Sequence, residues 1–447
     1  MPELRPFRAL RYDAGAVGDL RDVVSPPYDV ISPAGQRALA RRHPRNVVRL
    51  DLPLDEAGDP PDERYRRAAR DLAAWRSDGT LRKDRLQSVY VYEESYTVPG
   101  SSEQRAQRGF FARLRVEDLG PDSGVLPHER TLSAPKEDRY RLLRATGMNA
   151  SPVVLLFTDG DGAAMRALDA ASRLETLSDV TDDDGVRHRL WQLPADDAAL
   201  GPLAQALLAA GGSGQLTIAD GHHRYETALR YHDERHRDRQ RCELAPFDYL
   251  LALLLPVEQA LTVLPTHRVV RDGPAGEALV TDAAALFDVE RLPSRDALLA
   301  AFAGGASGAA DHRRRIPPAE RTHRVGLWTG GIAVMLHARP ASFSPLLDPS
   351  ASPTLRWLDV NLLAVALERL AGIDRAATAG GGITYTKDAA EALDRVDRGE
   401  AASAFLLDPT LVEDVLQVAA AGEVMPQKST YFYPKQLTGL VLNPHEW

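Results

Sequence analysis

The sequence predicts an α/β fold of the α+β kind that is divided into two portions. Residues 88–98 are rich in β-branched and aromatic residues, stop at a Pro-Gly turn and resume as a second run at 108–116, which is typical of an antiparallel hairpin. Residues 215–219 indicate a strand that passes through a turn into a helical pattern. Because 447 residues are too many for one compact core to be the default, we expect portions at residues 1–240 and 241–447.

The N-terminal elements are indicated by prolines and by helical spacing. Val23-Val24 stands before Ser25-Pro26-Pro27, which predicts a strand that enters a rigid, nonhelical turn. Ser32-Pro33 is typical of a helix start. Residues 63–75 repeat apolar side chains at helical spacing before Asp78-Gly79, so we expect a helix that ends there.

The later elements are predicted in the same way. Residues 153–157 indicate a short buried strand, 359–370 a helix and 403–407 another strand. The apolar run at 249–255 fits either a buried strand or a helix, and periodicity alone does not decide between them. The Gly- and Ala-rich stretch at 303–320 favours a flexible insertion.

Composition excludes several classes of protein. A net charge of −9 and a pI of about 5.8 disfavour a nucleic-acid partner, because nonspecific binding requires a basic surface. We expect no membrane partner, since no stretch approaches the ~20 apolar residues that a membrane helix needs, and we expect a cytoplasmic protein. Cys242 is the single cysteine, which excludes an intrachain disulfide and a multi-cysteine metal site.

The motif Asp220-Gly221-His222-His223-Arg224 lies between the predicted strand and helix. Gly221 permits close approach of a ligand to the backbone, and the first N–H groups of the helix favour an anion such as phosphate. Arg224 can clamp phosphate, Asp220 can bind a cation or accept a proton, and His222 or His223 can donate to a phosphate oxygen. The structural alternative is that Asp220 caps the helix while the histidines bond to nearby backbone groups.

A second charged segment lies between two prolines at residues 127–135 and continues to Arg139. Glu129 or Glu137 can act as a base there. The groups that can contact phosphate oxygens are His128, Arg130, Lys136 and Arg139. A solvated helix entry explains the segment equally well.

A third segment, near the C-terminus, combines lysines and hydroxyl groups beside an aromatic run at residues 431–433. Lysine binds phosphate as a point charge, and hydroxyl groups position it. The predicted phosphate contacts are Lys428, Ser429, Thr430 and Lys435. The aromatic residues are interpreted as packing residues.

A metal-dependent hydrolase is an alternative to a phosphate site. The potential zinc ligands are His128, Glu129, Asp220, His222 and His223. This set lacks the two histidines at i and i+4 with an intervening glutamate that a zincin helix carries. A serine hydrolase and an ordinary P-loop kinase are disfavoured, because neither Gly-x-Ser-x-Gly nor Gly-x-x-x-x-Gly-Lys-Ser/Thr occurs.

Five motifs in one order resemble the family catalogued as domain of unknown function 1015. They are Ser25-Pro26-Pro27-Tyr28-Asp29, His128-Glu129-Arg130-Thr131, Pro135-Lys136-Glu137-Asp138-Arg139, Ala219-Asp220-Gly221-His222-His223-Arg224-Tyr225-Glu226, and Met425-Pro426 followed by Lys428 to Lys435. The Asp-Gly-His-His-Arg element also resembles the phosphate-side box of the ParB/sulfiredoxin superfamily, which includes nucleotide-binding ParB proteins and free-serine kinases.

These resemblances imply a mixed-sheet ParB/sulfiredoxin-like core with large insertions. They also imply phosphoryl transfer from ATP, ADP or pyrophosphate, with Mg²⁺, to a small hydroxylated metabolite, for which L-serine is the leading candidate. Asp220, His222, His223 and Arg224 correspond to the phosphate-side box, with Asp220 as a metal or proton-handling residue. Glu129 is a candidate base on chemical grounds alone. The competing hypothesis is a nucleotide-responsive, ParB-like binding protein that transfers no phosphate.

Overall fold

The fold is known from a computed structural model. It describes residues 1–131, 133–237, 244–303, 313, 316–373, 377, 378 and 380–447. Cys242, the predicted division between residues 240 and 241, and most of the predicted insertion at 303–320 lie outside the described residues. In the described part of the chain, no helix combines the length and the apolar character that crossing a membrane requires.

The larger sheet has nine strands in the described part of the chain. Eight of them follow one path across the sheet, and the ninth, Leu4–Arg5, pairs with Gln104–Arg115. The order along that path is Val125–Leu126, Leu216–Asp220, Val153–Phe157, Tyr249–Pro256, Gln104–Arg115, Ser88–Thr97, Arg187–Pro194 and Ser178–Thr181. Two of the pairings are parallel and the others antiparallel, which confirms the predicted mixed sheet.

The site depends on the edge of this sheet at which Leu216–Asp220 ends. Val125–Leu126 runs parallel to Leu216–Asp220, so the residues after Leu126 leave the sheet beside Asp220. Val153–Phe157 is antiparallel to Leu216–Asp220, so Pro152 enters the sheet at that same edge. Chain segments that are distant in sequence therefore meet where the predicted turn begins.

A second sheet confirms the predicted C-terminal α/β portion. Its six strands, in order, are Phe287–Arg291, Ile332–Ala338, Arg324–Thr329, Ser403–Leu406, His267–Val270 and Ile383–Thr386. Among the described residues there are also three strand pairs: Leu10–Tyr12 with Leu81–Lys83, Met148–Asn149 with Asn443–Pro444, and Thr262–Leu264 with Tyr431–Tyr433.

The helices of the described residues range from single turns to four turns. They are Ala14–Val17, Leu20–Val23, Pro33–Arg42, Val48–Asp51, Glu63–Ser77, Ser133–Thr146, Ala163–Ala171, Gly201–Gly211, His222–Arg237, Gly276–Ala283, Arg295–Phe302, Pro340–Phe343, Pro353–Arg356, Asp359–Ala371, Ala389–Asp397 and Val412–Ala420. Short 3₁₀ turns occur at Tyr28–Val30, Pro246–Asp248 and Pro318–Glu320. The helix His222–Arg237, which follows the predicted turn, is called the site helix below.

The structure decides the ambiguous run and corrects one strand. Tyr249–Pro256 is a strand, and all of its residues are buried because both faces of the sheet are covered there. The predicted strand at Val23-Val24 is wrong, because Leu20–Val23 forms a helical turn in which Asp19 caps the backbone N–H of Arg21.

The C-terminal segment returns across the larger sheet. Thr438 pairs with Ser25, and Leu442 pairs with Leu10. Earlier in this segment, Tyr431–Tyr433 pairs with Thr262–Leu264, which lies between the two sheets in sequence. These pairings fix residues 425–435 beside the end of Leu216–Asp220.

Candidate functional site

The candidate site begins at the predicted strand–turn–helix junction. The strand ends at Asp220, Gly221 adopts a φ of 90°, and the site helix starts at His222. A Cβ atom on Gly221 would lie 3.0 Å from Nε of Arg224, closer than ordinary van der Waals contact. Only glycine therefore combines this positive φ with the observed position of Arg224.

Asp220 lies between two cations at this junction. Its Oδ2 accepts a hydrogen bond of 2.7 Å from Nη2 of Arg224, and its Oδ1 lies 3.2 Å from Nζ of Lys435. Burial by itself would raise the pKa of Asp220, but Lys435 and Arg224 outweigh burial and hold that pKa well below its usual range. Asp220 is consequently an ionised carboxylate at neutral pH and a poor proton acceptor.

Arg224 is engaged within the protein. Its Nη1 donates to the carbonyl oxygen of Pro152 and its Nη2 donates to Asp220. Its buried Nε has no hydrogen-bond partner within the described part of the chain. The predicted phosphate clamp thus has its terminal nitrogens directed at protein oxygens, and in this structure Arg224 holds the turn together.

His128 and His222 form a buried pair beneath the turn. Their ring centroids are 4.7 Å apart, and the backbone N–H of His128 donates to Nε2 of His222 at 3.3 Å. Nδ1 of His128 bonds to the carbonyl oxygen of Ile218, while Nε2 of His128 lies 3.0 Å from Oγ1 of Thr430. Burial lowers the pKa of His128 to about 4 and places that of His222 well below its usual value, so both rings are neutral and pack.

We predict that His128→Gln costs less stability at pH 5 than at pH 7. An unfolded chain binds a proton at His128 below a pKa of about 6.5, whereas the folded pKa is about 4. The stability contributed by neutral His128 is full above pH 6.5 and is lost as the pH falls towards 4. Wild type should lose about 2 kcal/mol relative to the variant between pH 7 and pH 5. Urea unfolding measures this difference, and a difference independent of pH contradicts the prediction.

Glu129 contacts the C-terminal segment. Its Oε1 accepts a 2.9 Å hydrogen bond from the backbone N–H of Lys428, whose φ of 55° is uncommon for a non-glycine residue. Burial raises the pKa of Glu129 against the opposing effect of that N–H group. On the other side of the segment, Arg268 donates to the carbonyl oxygen of Lys428 at 3.3 Å. The Lys428 backbone is therefore held from both sheets.

Further cations surround His223. Burial lowers the pKa of His223, and the positive charges of Lys428 and Lys136 lower it further. Lys136 also forms an ion pair with Glu226 on the site helix. Because the charges of Lys428 and Lys136 act on one imidazole, the three predicted segments converge at the start of the site helix.

The Tyr431 ring of the C-terminal segment contacts two lysines, Lys435 of the same segment and Lys387 from the second sheet's region. Nζ of Lys435 lies 4.5 Å from the centroid of the Tyr431 ring, and Nζ of Lys387 lies 5.0 Å from the same centroid. Cation–π attraction of this kind holds ammonium groups without neutralising their charge.

Two predicted contacts, Ser429 and Arg139, are bonded to other parts of the protein, and a third, Arg130, is exposed. The hydroxyl of Ser429 is buried and donates to the carbonyl oxygen of Pro426 at 2.6 Å, so it is used within its own loop. Arg130 is exposed. Arg139 is buried, donates to Asp51 and lies 4.1 Å from the centroid of the Tyr28 ring.

A cavity of about 50 Å³ opens behind Arg224. Arg224, Arg139, Tyr28, Asp51 and Ser151 supply its polar wall. Its apolar wall includes side chains of the buried strand Tyr249–Pro256. The cavity joins the predicted turn to Asp51 and Ser151, which belong to none of the quoted motifs.

Asp51 and Glu226 are two residues of this region that were not among the predicted site residues. Asp51 ends a four-residue helix, Val48–Asp51, in which no motif marks it. It becomes part of the region only because Arg139 and Ser151 reach it from other segments. Glu226 stands inside the quoted motif, but its partner Lys136 lies 90 residues earlier in the chain.

The predicted zinc-ligand set does not form a metal-binding group. The nitrogens of the His128 ring face Ile218 and Thr430, and Asp220 is paired with Arg224 and Lys435. Within the described ranges, the one group of three potential ligands close enough to share an ion lies elsewhere, at His232, His236 and Asp248.

Comparisons with known proteins identify a family and distant structures. The family model described as "Protein of unknown function (DUF1015)" matches residues 4–361. No curated protein matches the sequence. A free serine kinase in complex with AMP is 12% identical, with a TM-score of 0.36, and the match covers 73% of this chain and 94% of the other.

Two further structures are similar at the same level. A variant of a free serine kinase in complex with ADP is 12% identical, with a TM-score of 0.37 and coverage of 74% and 92%. A conserved hypothetical protein from Pyrococcus furiosus is 13% identical, with a TM-score of 0.33 and coverage of 72% and 90%. Similarities of this size transfer neither an activity nor a ligand.

Proposed function

We propose that this chain, which belongs to the DUF1015 family, binds the phosphates of ATP, ADP or pyrophosphate at the Asp220–Arg224 turn and transfers one phosphoryl group to a small hydroxylated metabolite. L-serine is the leading candidate for the acceptor. The product would then be O-phosphoserine.

One observation carries the proposal: three lysines from two distant segments converge on the start of the 16-residue site helix. Lys136, Lys428 and Lys435 act electrostatically on His223 or Asp220 at that point. Helix N–H groups and lysine point charges together favour a phosphate group over a neutral ligand. A purely structural turn needs one cation to balance Asp220, and this turn has Arg224 and Lys435 on it.

Glu129 is the proposed base. Its raised pKa makes it a better proton acceptor at neutral pH than Asp220, whose pKa is lowered. In the proposed step, the acceptor hydroxyl oxygen forms a bond to the terminal phosphorus of the donor. The bond from that phosphorus to the bridging oxygen breaks, the rest of the donor leaves as ADP, AMP or phosphate, and Glu129 takes the hydroxyl proton.

Asp220 does not by itself fit a Mg²⁺ site. Each of its oxygens faces a cation, Arg224 or Lys435, which repels a further positive charge. Mg²⁺ commonly binds through one or two carboxylates together with substrate phosphates and water. The proposal therefore places Mg²⁺ with the phosphates of the donor and assigns charge neutralisation at Asp220 to the protein's own cations.

A nucleotide-responsive binding protein is the second candidate. The observation that favours it is that the turn is already internally bonded, with Arg224 on Asp220 and Glu129 on the Lys428 backbone. Phosphate binding would rearrange these bonds and so change the conformation of the chain, without any transfer of a phosphoryl group.

The activity test is a product assay with each donor in turn. The purified chain is incubated with Mg²⁺, L-serine and ATP, ADP or pyrophosphate, and phosphoserine is sought by mass spectrometry. We expect phosphoserine with at least one donor. Nucleotide binding without product from any donor would refute the serine-kinase proposal and support the binding protein.

The binding part of the test uses Lys435→Met with Lys83→Met as its matched control. Lys435 pairs with Asp220 at the turn, whereas Lys83 pairs with Glu446 in another strand pair. Loss of a charged contact of about 1.5–3 kcal/mol should weaken donor binding about 10- to 100-fold in the first variant alone. If calorimetry gives the same donor affinity for the Lys435→Met and Lys83→Met variants, Lys435 does not contribute to donor binding.

A further inference from the structure

We propose that His232, His236 and Asp248 form a zinc-binding site at the other end of the site helix. Nε2 of His236 lies 2.6 Å from Oδ1 of Asp248, and Nε2 of His232 lies 3.7 Å from the same oxygen. The two imidazole centroids are 4.5 Å apart. The three potential ligand atoms lie within 4.8 Å of one another, in the one such group among the residues that the structure describes.

This spacing fits a tetrahedral zinc site after a small adjustment. Zinc bonds of about 2.0–2.1 Å place neighbouring ligand atoms about 3.3 Å apart. Nε2 of His232 is already near that separation from Asp248, and His236 needs to withdraw by less than about 1 Å. Histidines at i and i+4 lie on one face of a helix, so both rings reach the same ion from a rigid element.

Bonds around the group hold each ligand in a suitable orientation. Nδ1 of His232 lies 3.1 Å from a carboxylate oxygen of Asp233, an arrangement that directs Nε2 of His232 towards Asp248. The backbone N–H of Ala245 donates to Oδ2 of Asp248 at 2.7 Å, which leaves Oδ1 facing the histidines. Partners of this type orient zinc ligands in known sites.

An ion pair between His236 and Asp248 alone does not account for the position of His232. One hydrogen bond from His236 satisfies Oδ1 of Asp248, yet Nε2 of His232 is directed at that oxygen from beyond hydrogen-bond distance. Asp248 is 2% exposed, while both histidine side chains are more than a quarter exposed. A zinc ion between the three groups would bond all of them, and the exposed side would admit the ion and a water as fourth ligand.

The chemical type of the three ligands indicates which metal ion would bind and what role it would have. Two imidazoles and one carboxylate suit zinc better than Mg²⁺ or Ca²⁺, which prefer oxygen ligands. Asp233, which directly follows the first histidine, is bonded to His232 and is thereby occupied. We therefore assign the ion a stabilising role: it would tie the site helix to the 3₁₀ turn Pro246–Asp248, which leads into Tyr249–Pro256, with a water where a closed zinc site has a fourth protein ligand.

Zinc titration of the metal-free chain tests the site. The full chain is treated with a chelator, dialysed and titrated with Zn²⁺ by calorimetry, and Co²⁺ is added separately to record the absorption of a tetrahedral site. We expect one equivalent of Zn²⁺ to bind and the melting temperature to rise with Zn²⁺ concentration. His236→Ala and Asp248→Asn should each weaken Zn²⁺ binding at least about 10-fold.

His337→Ala is the matched control, because His337 is an exposed histidine 3.1 Å from Glu290 in the second sheet. It should leave Zn²⁺ affinity unchanged. If either ligand variant fails to fold by circular dichroism, His232→Gln replaces it. Absence of stoichiometric Zn²⁺ binding, or binding that none of the ligand variants weakens, overturns the proposal.

Discussion

Glu129→Gln is expected to reduce phosphoserine formation by about 10²- to 10⁴-fold, the usual contribution of a positioned general base. Glutamine retains an oxygen that can accept the N–H of Lys428, so the loop that carries Lys428 should keep its position. It cannot take a proton from the acceptor hydroxyl. Nucleotide affinity should therefore stay within a few-fold of wild type while turnover falls, which initial-rate kinetics and calorimetry on the same preparations distinguish.

Glu290→Gln provides the control for this prediction. Glu290 is an exposed carboxylate that pairs with His337 in the second sheet, away from the junction. Its replacement should change neither rate nor affinity. If Glu129→Gln retains wild-type turnover, the base lies elsewhere; if it loses nucleotide binding and turnover together, Glu129 acts by positioning the Lys428 loop.

Asp220→Asn is expected to lower the free energy of unfolding by about 3 kcal/mol, because it leaves two mostly buried cations without their shared counterion. The side chains of Asp220, Arg224 and Lys435 are only 10–16% exposed, so water cannot replace the lost carboxylate charge. The asparagine has the same shape, and the loss therefore reports charge rather than packing. Urea unfolding at neutral pH is the measurement.

An exposed ion pair provides the control for the loss of stability that is expected of Asp220→Asn. Asp179 and Arg187 form an ion pair whose side chains are 35% and 53% exposed. Asp179→Asn should cost at most about 1 kcal/mol, because solvent screens such pairs. Similar losses in the two variants would mean that the Asp220 charge is solvated and that the turn is not a closed electrostatic unit.

The secondary structure could be predicted where the hydrophobic periodicity and the residues that begin or end an element indicate the same structure. The hairpin Ser88–Thr97 with Gln104–Arg115 and the helix Glu63–Ser77 both follow local pattern. The run that became Tyr249–Pro256 was ambiguous, because burial on both faces removes the alternation by which a strand is recognised. Val23 was misassigned because its β-branched side chain favours strands, whereas the Asp19 cap stabilises a helical turn.

The sequence predicted which residues belong to the candidate site better than it predicted which partners those residues contact. The sequence singled out Asp220, Arg224, Lys428 and Lys435 by type, but no local pattern shows that a lysine 215 residues later pairs with Asp220. Such pairs are set by strand order, which places the ends of Val125–Leu126 and Leu216–Asp220 at one edge of the sheet. For the same reason, sequence alone did not reveal that the nitrogens of Arg224 contact protein oxygens.

The pairing of Asp220 with Lys435 also determines when during translation this ion pair can form. At synthesis rates of roughly 5–20 residues per second, a ribosome adds Lys435 roughly 10–40 s after Asp220. Until residues 428–435 are made, the nascent chain has Arg224 beside Asp220 but neither Lys435 to pair with Asp220 nor Lys428 to meet Glu129. The growing polypeptide can therefore build the larger sheet early, whereas the proposed phosphate site can be completed only after translation has passed the second sheet.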